Sequence, residues 1–182
     1  SGQSNSFSNT AAAVTNANNV SLSGGQIVGS ENGAAGTGNT FTNTITGAVT
    51  ATGNVTLEGG SITGNGNGSS DPVLTSNVFS NSVGDVNTDG AVALGGSFIN
   101  GNADVNNAFH NATGSIGATV VPTSVTLGYD SIAGSVYNGI SFRNRWQGTV
   151  ATSGELSLGD DSIGSSTTNA TNIQGNSLGN TV

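Results

Sequence analysis

The chain has 182 residues, of which only 7% are charged, and its net charge is −8. Arg143 and Arg145 are its only arginines and lysine is absent, which argues against nucleic acid or anionic lipid as a partner, because both need a basic surface. No apolar run approaches the roughly 20 residues of a membrane helix, so we expect no membrane insertion.

Glycine is frequent, with 30 residues, and Asn, Ser and Thr fill most of the remainder. Biased composition of this kind raises the question of disorder. Disordered chains are poor in β-branched residues, however, whereas Val and Ile recur regularly here, so we expect an ordered β-rich protein. The absence of lysine and of an initiating methionine favours a processed, secreted chain and an extracellular or cell-surface location.

One short motif, Asn-x-Phe-x-Asn, recurs along the chain at intervals of 30 to 38 residues. The fifth copy lacks the first Asn, and the sixth has Leu in place of Phe. The central positions are Phe7, Phe41, Phe79, Phe109, Phe142 and Leu178, and the second Asn positions are Asn9, Asn43, Asn81, Asn111, Asn144 and Asn180. Six copies in the same order predict an internal repeat.

Further apolar positions follow each motif in a constant order. A β-branched residue comes first, then an alternating pair, then a glycine and then an isoleucine. The second member of the pair is Leu22, Leu57, Leu94, Leu127 or Leu158, and the isoleucine is Ile27, Ile62, Ile99, Ile132 or Ile163. In the third repeat we interpret Phe98 as one extra residue that forms a bulge. Connectors of variable length, rich in Gly, Asn and Ser, predict surface loops between the constant blocks.

The apolar period is 2, which predicts strands, and no stretch sustains a helical period. We therefore predict an all-β fold: a single-domain β-solenoid over 1–182, with three or four short strands in each repeat. Five imperfect repeats and a partial sixth are expected at 1–36, 37–74, 75–104, 105–137, 138–172 and 173–182. One layer per repeat is preferred over two, because Asn-x-Phe-x-Asn has no second copy within a repeat.

Stacking of the repeats explains the motif. Equivalent residues in a solenoid lie about 4.8 Å apart, so the phenylalanines would form an aromatic column and the asparagines a ladder of amide hydrogen bonds. Like charges at that spacing repel in every layer, which accounts for the low charge content. Neither end of the repeat array carries a capping helix or a charged strand. We expect open ends, and strand edges of that kind act as templates for another chain.

The Asn-x-Phe-x-Asn motif in Gly/Asn/Ser-rich repeats of 30-odd residues resembles bacterial secreted functional amyloids, the Fap-type fibre subunit more than curlin. The resemblance implies export in an unfolded state and assembly outside the cell into biofilm matrix or adhesive fibres. Two departures limit it. The chain lacks the Cys-x-x-Cys and the long linkers of Fap-type subunits, and it lacks the Ser, Gln, Gly and Asn spacing of curlin.

Two groups of acidic and amide side chains suggest a cation site, and Ca²⁺ is the candidate ion; otherwise we expect no cofactor. Asp85, Asn87 and Asp89 match the first half of a calcium loop, although Gly96 stands where the bidentate Glu is expected. Asp130 and Asp161 occupy one column, where they would repel each other unless a cation or protons intervene. The simpler interpretations are a turn for the first group, and for the second two carboxylates that point into solvent.

Four other residues interrupt the repeat: His110, Arg143, Arg145 and Trp146. We interpret them as a solvated surface, with Trp146 beside the arginines as an alternative platform for a glycan or another partner. One histidine without cysteine makes a poor metal site, and nothing marks a catalytic nucleophile. We therefore expect no enzymatic activity.

Three functions are compatible with these patterns. The first is a structural subunit of an extracellular fibre, which assembles with copies of itself head to tail. The second is a surface-binding module, such as a β-helical adhesin or a segment of a phage tail fibre, which would display residues to a glycan. The third is a pilus subunit completed by a neighbour's strand, which the near-identical repeats disfavour.

Overall fold

The computed structural model describes residues 5–28, 31–32, 38–63, 66–68, 77–100, 103–105, 107–134, 136–138, 140–159, 161–165, 172–174 and 177–181. These residues form strands and no helix, and the strands pair in parallel within five sheets. Each sheet is one side of a solenoid, and the chain visits the five sides in the same order in successive layers. The predicted all-β solenoid is confirmed.

The first side carries the Asn-x-Phe-x-Asn motif. Its six strands, in stacking order, are β1 (Ser6–Ala11), β6 (Thr40–Ile45), β11 (Val78–Val83), β16 (Ala108–Thr113), β20 (Ser141–Trp146) and β24 (Ser177–Thr181). Phe7 pairs with Phe41, and the register continues through the phenylalanine of each later motif to Phe142, which lies opposite Leu178. Each repeat therefore contributes one strand to this sheet, and one repeat forms one layer, as predicted.

The next three sides follow from the apolar positions after the motif, and their strand numbers differ. The second side has β2 (Val14–Ala17), β7 (Val49–Ala51) and β12 (Val86–Thr88), continued by single bridges at Ile116 and Val150. The third has β3 (Val20–Ser23), β8 (Val55–Glu58), β13 (Ala91–Gly95), β17 (Ser124–Gly128) and β21 (Leu156–Gly159). The fourth has β4 (Gln26–Val28), β9 (Ser61–Thr63), β14 (Phe98–Asn100), β18 (Ser131–Gly134) and β22 (Ser162–Ser165).

The fifth side lies in the connectors, which the sequence predicted to be loops. It consists of β5 (Glu31–Asn32), β10 (Gly66–Gly68), β15 (Ala103–Val105), β19 (Val136–Asn138) and β23 (Asn172–Gln174). The prediction of three or four strands per repeat is therefore wrong for the first three repeats, which have five. The predicted boundaries after residues 104, 137 and 172 each fall inside a strand of this side.

The one bulge predicted from the sequence is also misplaced. Phe98 pairs with Ser61 below and Ser131 above without a register shift, so it is not an extra residue. A register shift occurs instead in β2, where three steps from Val14 to Ala17 match two steps on β7. Asn16 takes up the additional residue with a φ of 57°, a left-handed conformation that Asn tolerates better than most residues.

The core consists of two clusters, both built from stacked columns. One contains the Phe and Ile columns, with Phe41, Phe79, Phe109 and Phe142 against Ile62, Ile99 and Ile132. The other contains the Val and Leu columns and Trp146, which is only 5% exposed. The interpretation of Trp146 as a surface platform is therefore wrong. Its strand places it directly above Thr113, in an inward column that begins at Ala11 and continues through Ile45 and Val83.

Candidate functional site

The phenylalanine column is a continuous aromatic stack. Consecutive ring centroids from Phe7 to Phe142 are 4.9, 4.7, 5.1 and 4.7 Å apart, and the ring planes differ by 9° or less. These distances match the spacing of hydrogen-bonded strands, so ring contact and backbone pairing are satisfied by the same repeat distance. Leu178 occupies the next register position above Phe142; its side chain lies outside the described residues.

The second asparagine of each motif forms a hydrogen-bonded series that we call the Asn9 ladder: Asn9, Asn43, Asn81, Asn111 and Asn144. The Nδ2 of each donates to the Oδ1 of the next at 2.8–2.9 Å. In the first two layers the amide also donates to a backbone carbonyl oxygen at the facing corner: Asn9 Nδ2 to Ser23, and Asn43 Nδ2 to Glu58. Buried amides cost free energy unless they are paired, so this ladder fixes both register and layer spacing.

The first asparagine of the motif forms a parallel series, the Asn5 ladder: Asn5, Asn39, Asn77 and Asn107. Here too each Nδ2 donates to the Oδ1 of the layer above, at 3.0, 2.9 and 2.8 Å. The same oxygens of Asn39 and Asn77 also accept the backbone N–H of the asparagine below. Two amide ladders therefore enclose the aromatic stack, as the sequence predicted.

Both ladders have one direction. Every amide donates toward the later layers and accepts from the earlier ones, so carbonyl oxygens face the β1 end of the stack. Asn9 Oδ1, at that end, accepts no hydrogen bond from the residues that the structure describes. The end face of the first layer therefore presents an amide acceptor.

The edge of β1 is the candidate interface. Within the described part of the chain, β1 pairs only with β6, and Phe7 is 37% exposed whereas Phe41 in the next layer is fully buried. Val14, Leu22 and Ile27 are likewise only partly buried in this layer, although their counterparts Val49, Leu57 and Ile62 are fully buried. An apolar face with unpaired backbone groups beside it is suited to pairing with another strand layer.

A corner column links the third and fourth sides and changes its chemistry along the stack. It consists of Gly25, Gly60, Ser97, Asp130 and Asp161. At Gly25 a Cβ would lie 2.7 Å from Phe7 Cε1, and at Gly60 it would overlap the Phe41 ring, so these two layers require glycine. The upper layers place carboxylates at this position.

The predicted pair Asp130 and Asp161 does stack, but not in solvent. Asp130 is 1% exposed, and its carboxylate accepts the Ser97 backbone N–H at 2.8 Å and Asn111 Nδ2 at 2.7 Å. Asp161 accepts the Asp130 backbone N–H at 3.0 Å and Asn144 Nδ2 at 2.7 Å. The interpretation of two carboxylates that splay into solvent is therefore wrong, since both continue the Asn9 ladder into the corner.

The pKa of Asp130 is raised from 3.8 to about 7, chiefly by burial. The hydrogen bonds from Ser97 and Asn111 oppose this shift, and the nearby charge of Asp161 adds to it. A proton on Asp130 near neutral pH relieves the repulsion that the sequence predicted for this column. Both carboxylates are surrounded by N–H donors, which suit an anion or a neutral acid and not a metal ion.

Of the predicted calcium ligands, Asn87 lies within strand β12, and Asp85 and Asp89 flank the strand on either side. Asp85, Asn87 and Asp89 alternate with the buried Val86 and Thr88 of the second side. Asp85 Oδ1 accepts the Ser115 backbone N–H at 2.7 Å, and Asn87 Oδ1 accepts that of Thr119 at 2.8 Å. Two of the three therefore bind backbone donors of the next layer. No cluster of three His, Cys, Asp or Glu side chains is found among the residues with described positions.

His110 and Arg143 are neighbours on the outward face of the first side, as expected, and Arg145 lies beside Arg143. Both arginines are exposed and His110 is half-buried. Burial lowers the pKa of His110 below 6.5, and the charge of Arg143 lowers it further. Together these residues form a small basic strip on an otherwise acidic chain.

Comparisons with models of protein families, with curated proteins and with solved structures find no match to this chain. Among the described residues, none belongs to a helix long and apolar enough to cross a membrane.

Sequence reasoning missed two features of this site. The extension of the Asn9 ladder by Asp130 and Asp161 was not predicted, although Gly25, Gly60 and Ser97 in the same column showed that the position faces inward. The burial of Trp146 was missed as well. Its place in the column of Ala11, Ile45 and Val83 was the signal that could have identified it.

Proposed function

We propose that the chain is a structural subunit of an extracellular, self-assembling fibre, with no catalytic role. Copies would add end to end, so that the layers of one copy continue the layers of the next. The observation that carries this proposal is the first-layer face, where Phe7 is 37% exposed and β1 has one unpaired edge within the described residues. An added layer would cover Phe7 as Phe41 is covered.

The side-chain columns support the same proposal. In-register columns of Phe and Asn need the same residue at the same position in the next layer, and a second copy provides it. The register positions of β24 repeat those of β1, with Leu178 in the Phe column and Asn180 in the Asn9 ladder position. The low charge content removes most of the repulsion that would oppose stacking of identical chains.

Incubation of the purified chain, with and without sonicated seeds, tests the proposal. We expect unbranched filaments in electron microscopy and a fibre reflection near ~4.8 Å along the filament axis, because the strands lie across the axis of stacking. Seeds should remove the lag in assembly. A chain that stays monomeric at high concentration, with or without seeds, would reject the fibre and favour a surface-binding module.

A further inference from the structure

The direction of the amide ladders limits how two copies can meet. In the Asn9 ladder, Asn9, Asn43, Asn81 and Asn111 all donate from Nδ2 to the Oδ1 of the layer above. The β1 end therefore presents an acceptor, Asn9 Oδ1. The opposite end of a second copy continues the ladder only if it brings an amide N–H to that oxygen.

We infer that copies join in one orientation only, with the β1 edge (the head edge) of one copy against the edge of β24 that faces away from β20 (the tail edge) of another. This inference rests on the proposed function, because it names the partner and the polarity of the same end face. It adds that the fibre is polar and that head-to-head pairs do not form.

The backbone agrees with this pairing. The carbonyl oxygens of Asn5 and Ala11 accept N–H groups of the second layer, and the polar backbone groups of successive strand residues point to opposite edges. Ser6, Ser8 and Thr10 therefore direct their N–H and C=O groups to the head edge. The N–H of Ser141 donates to the carbonyl oxygen of Asn107, and Ser177 occupies the register position of Ser141 in β24. By the same alternation, the backbone N–H and C=O groups of Leu178 and Asn180 point to the tail edge.

Head and tail edges therefore complement each other as the neighbouring strands within the chain do. The motif positions also coincide. Thr10 and Thr181 lie at the two ends of one register column, which runs through Thr44, Ser82, Ala112 and Arg145. In a head-to-head pair, Asn9 Oδ1 would meet another acceptor in place of a donor. An amide oxygen buried without a donor costs free energy, which disfavours that orientation.

Two proline variants block one edge each. Ser8→Pro removes an N–H from the head edge, and Asn180→Pro removes one from the tail edge. Neither N–H has a partner among the described residues, and proline is tolerated on such edges. We expect each variant alone to be monomeric, with the 17.6 kDa mass of one chain, and a mixture of the two to form a 1:1 dimer and nothing larger. Ser8→Ala and Asn180→Gln are the matched controls: both keep the backbone N–H, and the second also keeps a side-chain amide, so both should still form filaments.

The outcomes separate the two proposals. If Asn180→Pro alone forms dimers through its intact head edge, the single orientation is overturned while self-association stands. If neither the wild type nor the two control variants associate, the proposed function fails first. Circular dichroism and thermal melting of each proline variant establish that it is folded before its mass is measured.

A cross-linking experiment gives the orientation without proline. The chain has no cysteine, so single cysteines can be placed at Thr10 and Thr181, which occupy one register column at the two ends of the stack. With a short bis-maleimide, a mixture of Thr10→Cys and Thr181→Cys chains should give cross-linked heterodimers, and Thr10→Cys alone should give none. Efficient cross-linking of Thr10→Cys to itself, or filaments that give no cross-link in the mixture, would overturn the inference.

Discussion

At the scale of single residues, Phe79 offers a direct measure of the aromatic stack. Its ring is 1% exposed and lies 4.7 Å from the Phe41 ring and 5.1 Å from the Phe109 ring. Phe79→Ala removes both ring contacts and leaves a cavity, so we expect a loss of about 3–5 kcal/mol in the free energy of unfolding. Phe98→Ala is the control: its ring is 37% exposed, and the loss in a denaturant titration should be far smaller. Equal losses would mean that the stack does not stabilise the fold.

The raised pKa of Asp130 predicts that the stability of the folded chain falls as the pH rises, which is opposite in sign to the effect of a salt-bridged aspartate. Its pKa is 3.8 in the unfolded chain and about 7 in the folded one, so the folded chain holds a proton that the unfolded chain releases in this range. The contribution of Asp130 to stability is therefore fully present below pH 3.8 and declines until the pH passes about 7.

Thermal melting of Asp130→Asn across pH 4–8 checks this sign, because the amide does not titrate. We expect the wild type to lose stability relative to the variant as the pH rises, with most of the change complete near pH 7. His110 is present in both proteins, so its own titration cancels in the difference. An Asp130→Asn slope equal to that of the wild type would contradict the prediction.

How far single residues could be predicted depended on whether a column kept its residue type. The Phe and Asn columns hold one chemistry in nearly every layer, so their inward position follows from period 2 alone. Trp146 and Asp130 stand in columns whose members change, from Ala to Trp and from Gly to Asp. The interruption of the repeat by Trp146 suggests an exposed side chain, and the repulsion between stacked carboxylates suggests that Asp130 points into solvent. Neither interpretation takes account of the space inside each layer, where both side chains are buried.

At the scale of elements, the Asn9 ladder joins the strands of the first side through side chains as well as backbone. Asn81 is buried, accepts from Asn43 and donates to Asn111. Asn81→Leu keeps the branching of the side chain but removes its polar atoms. The change orphans one N–H of Asn43 and the carbonyl oxygen of Asn111, and each buried orphan costs about 1–3 kcal/mol. We expect the urea midpoint to fall accordingly. Ser80→Ala, one residue away on the outward face of β11, should change stability by less than about 0.5 kcal/mol. A midpoint for Asn81→Leu equal to that of Ser80→Ala would exclude a structural role for the ladder.

The strands that the sequence missed lack the pattern by which strands are recognised. Glu31–Asn32 and Gly66–Gly68 are too short or too poor in β-branched residues to show a period of 2, and their connectors vary in length. They pair because the layers above and below already bring them within reach, so tertiary context overrides local propensity. The four sides with regular apolar spacing were predictable for the opposite reason.

At the scale of the whole molecule, the described strands pair only with the layer above and the layer below. In such a stack, local stability depends on how many neighbouring layers a strand has. β11 has a layer on each side, whereas β1 has one within the described residues. Hydrogen exchange should therefore be fast in Ser6–Ala11 and slow in Val78–Val83. For the β1 amides that face the head edge, we expect the exchange rate to be about 1,000-fold higher than for the equivalent amides of β11.

Mass spectrometry of the same two peptides before and after assembly tests this gradient together with the mode of association. In the isolated chain we expect protection to rise from β1 to β11. In filaments, β1 should gain protection up to the level of β11, because the tail edge of another copy supplies its missing layer, and β11 should change little. Equal protection in the isolated chain would mean that the solenoid opens as one unit. Filaments in which β1 stays unprotected would mean that copies meet through a side and not through the stacked ends.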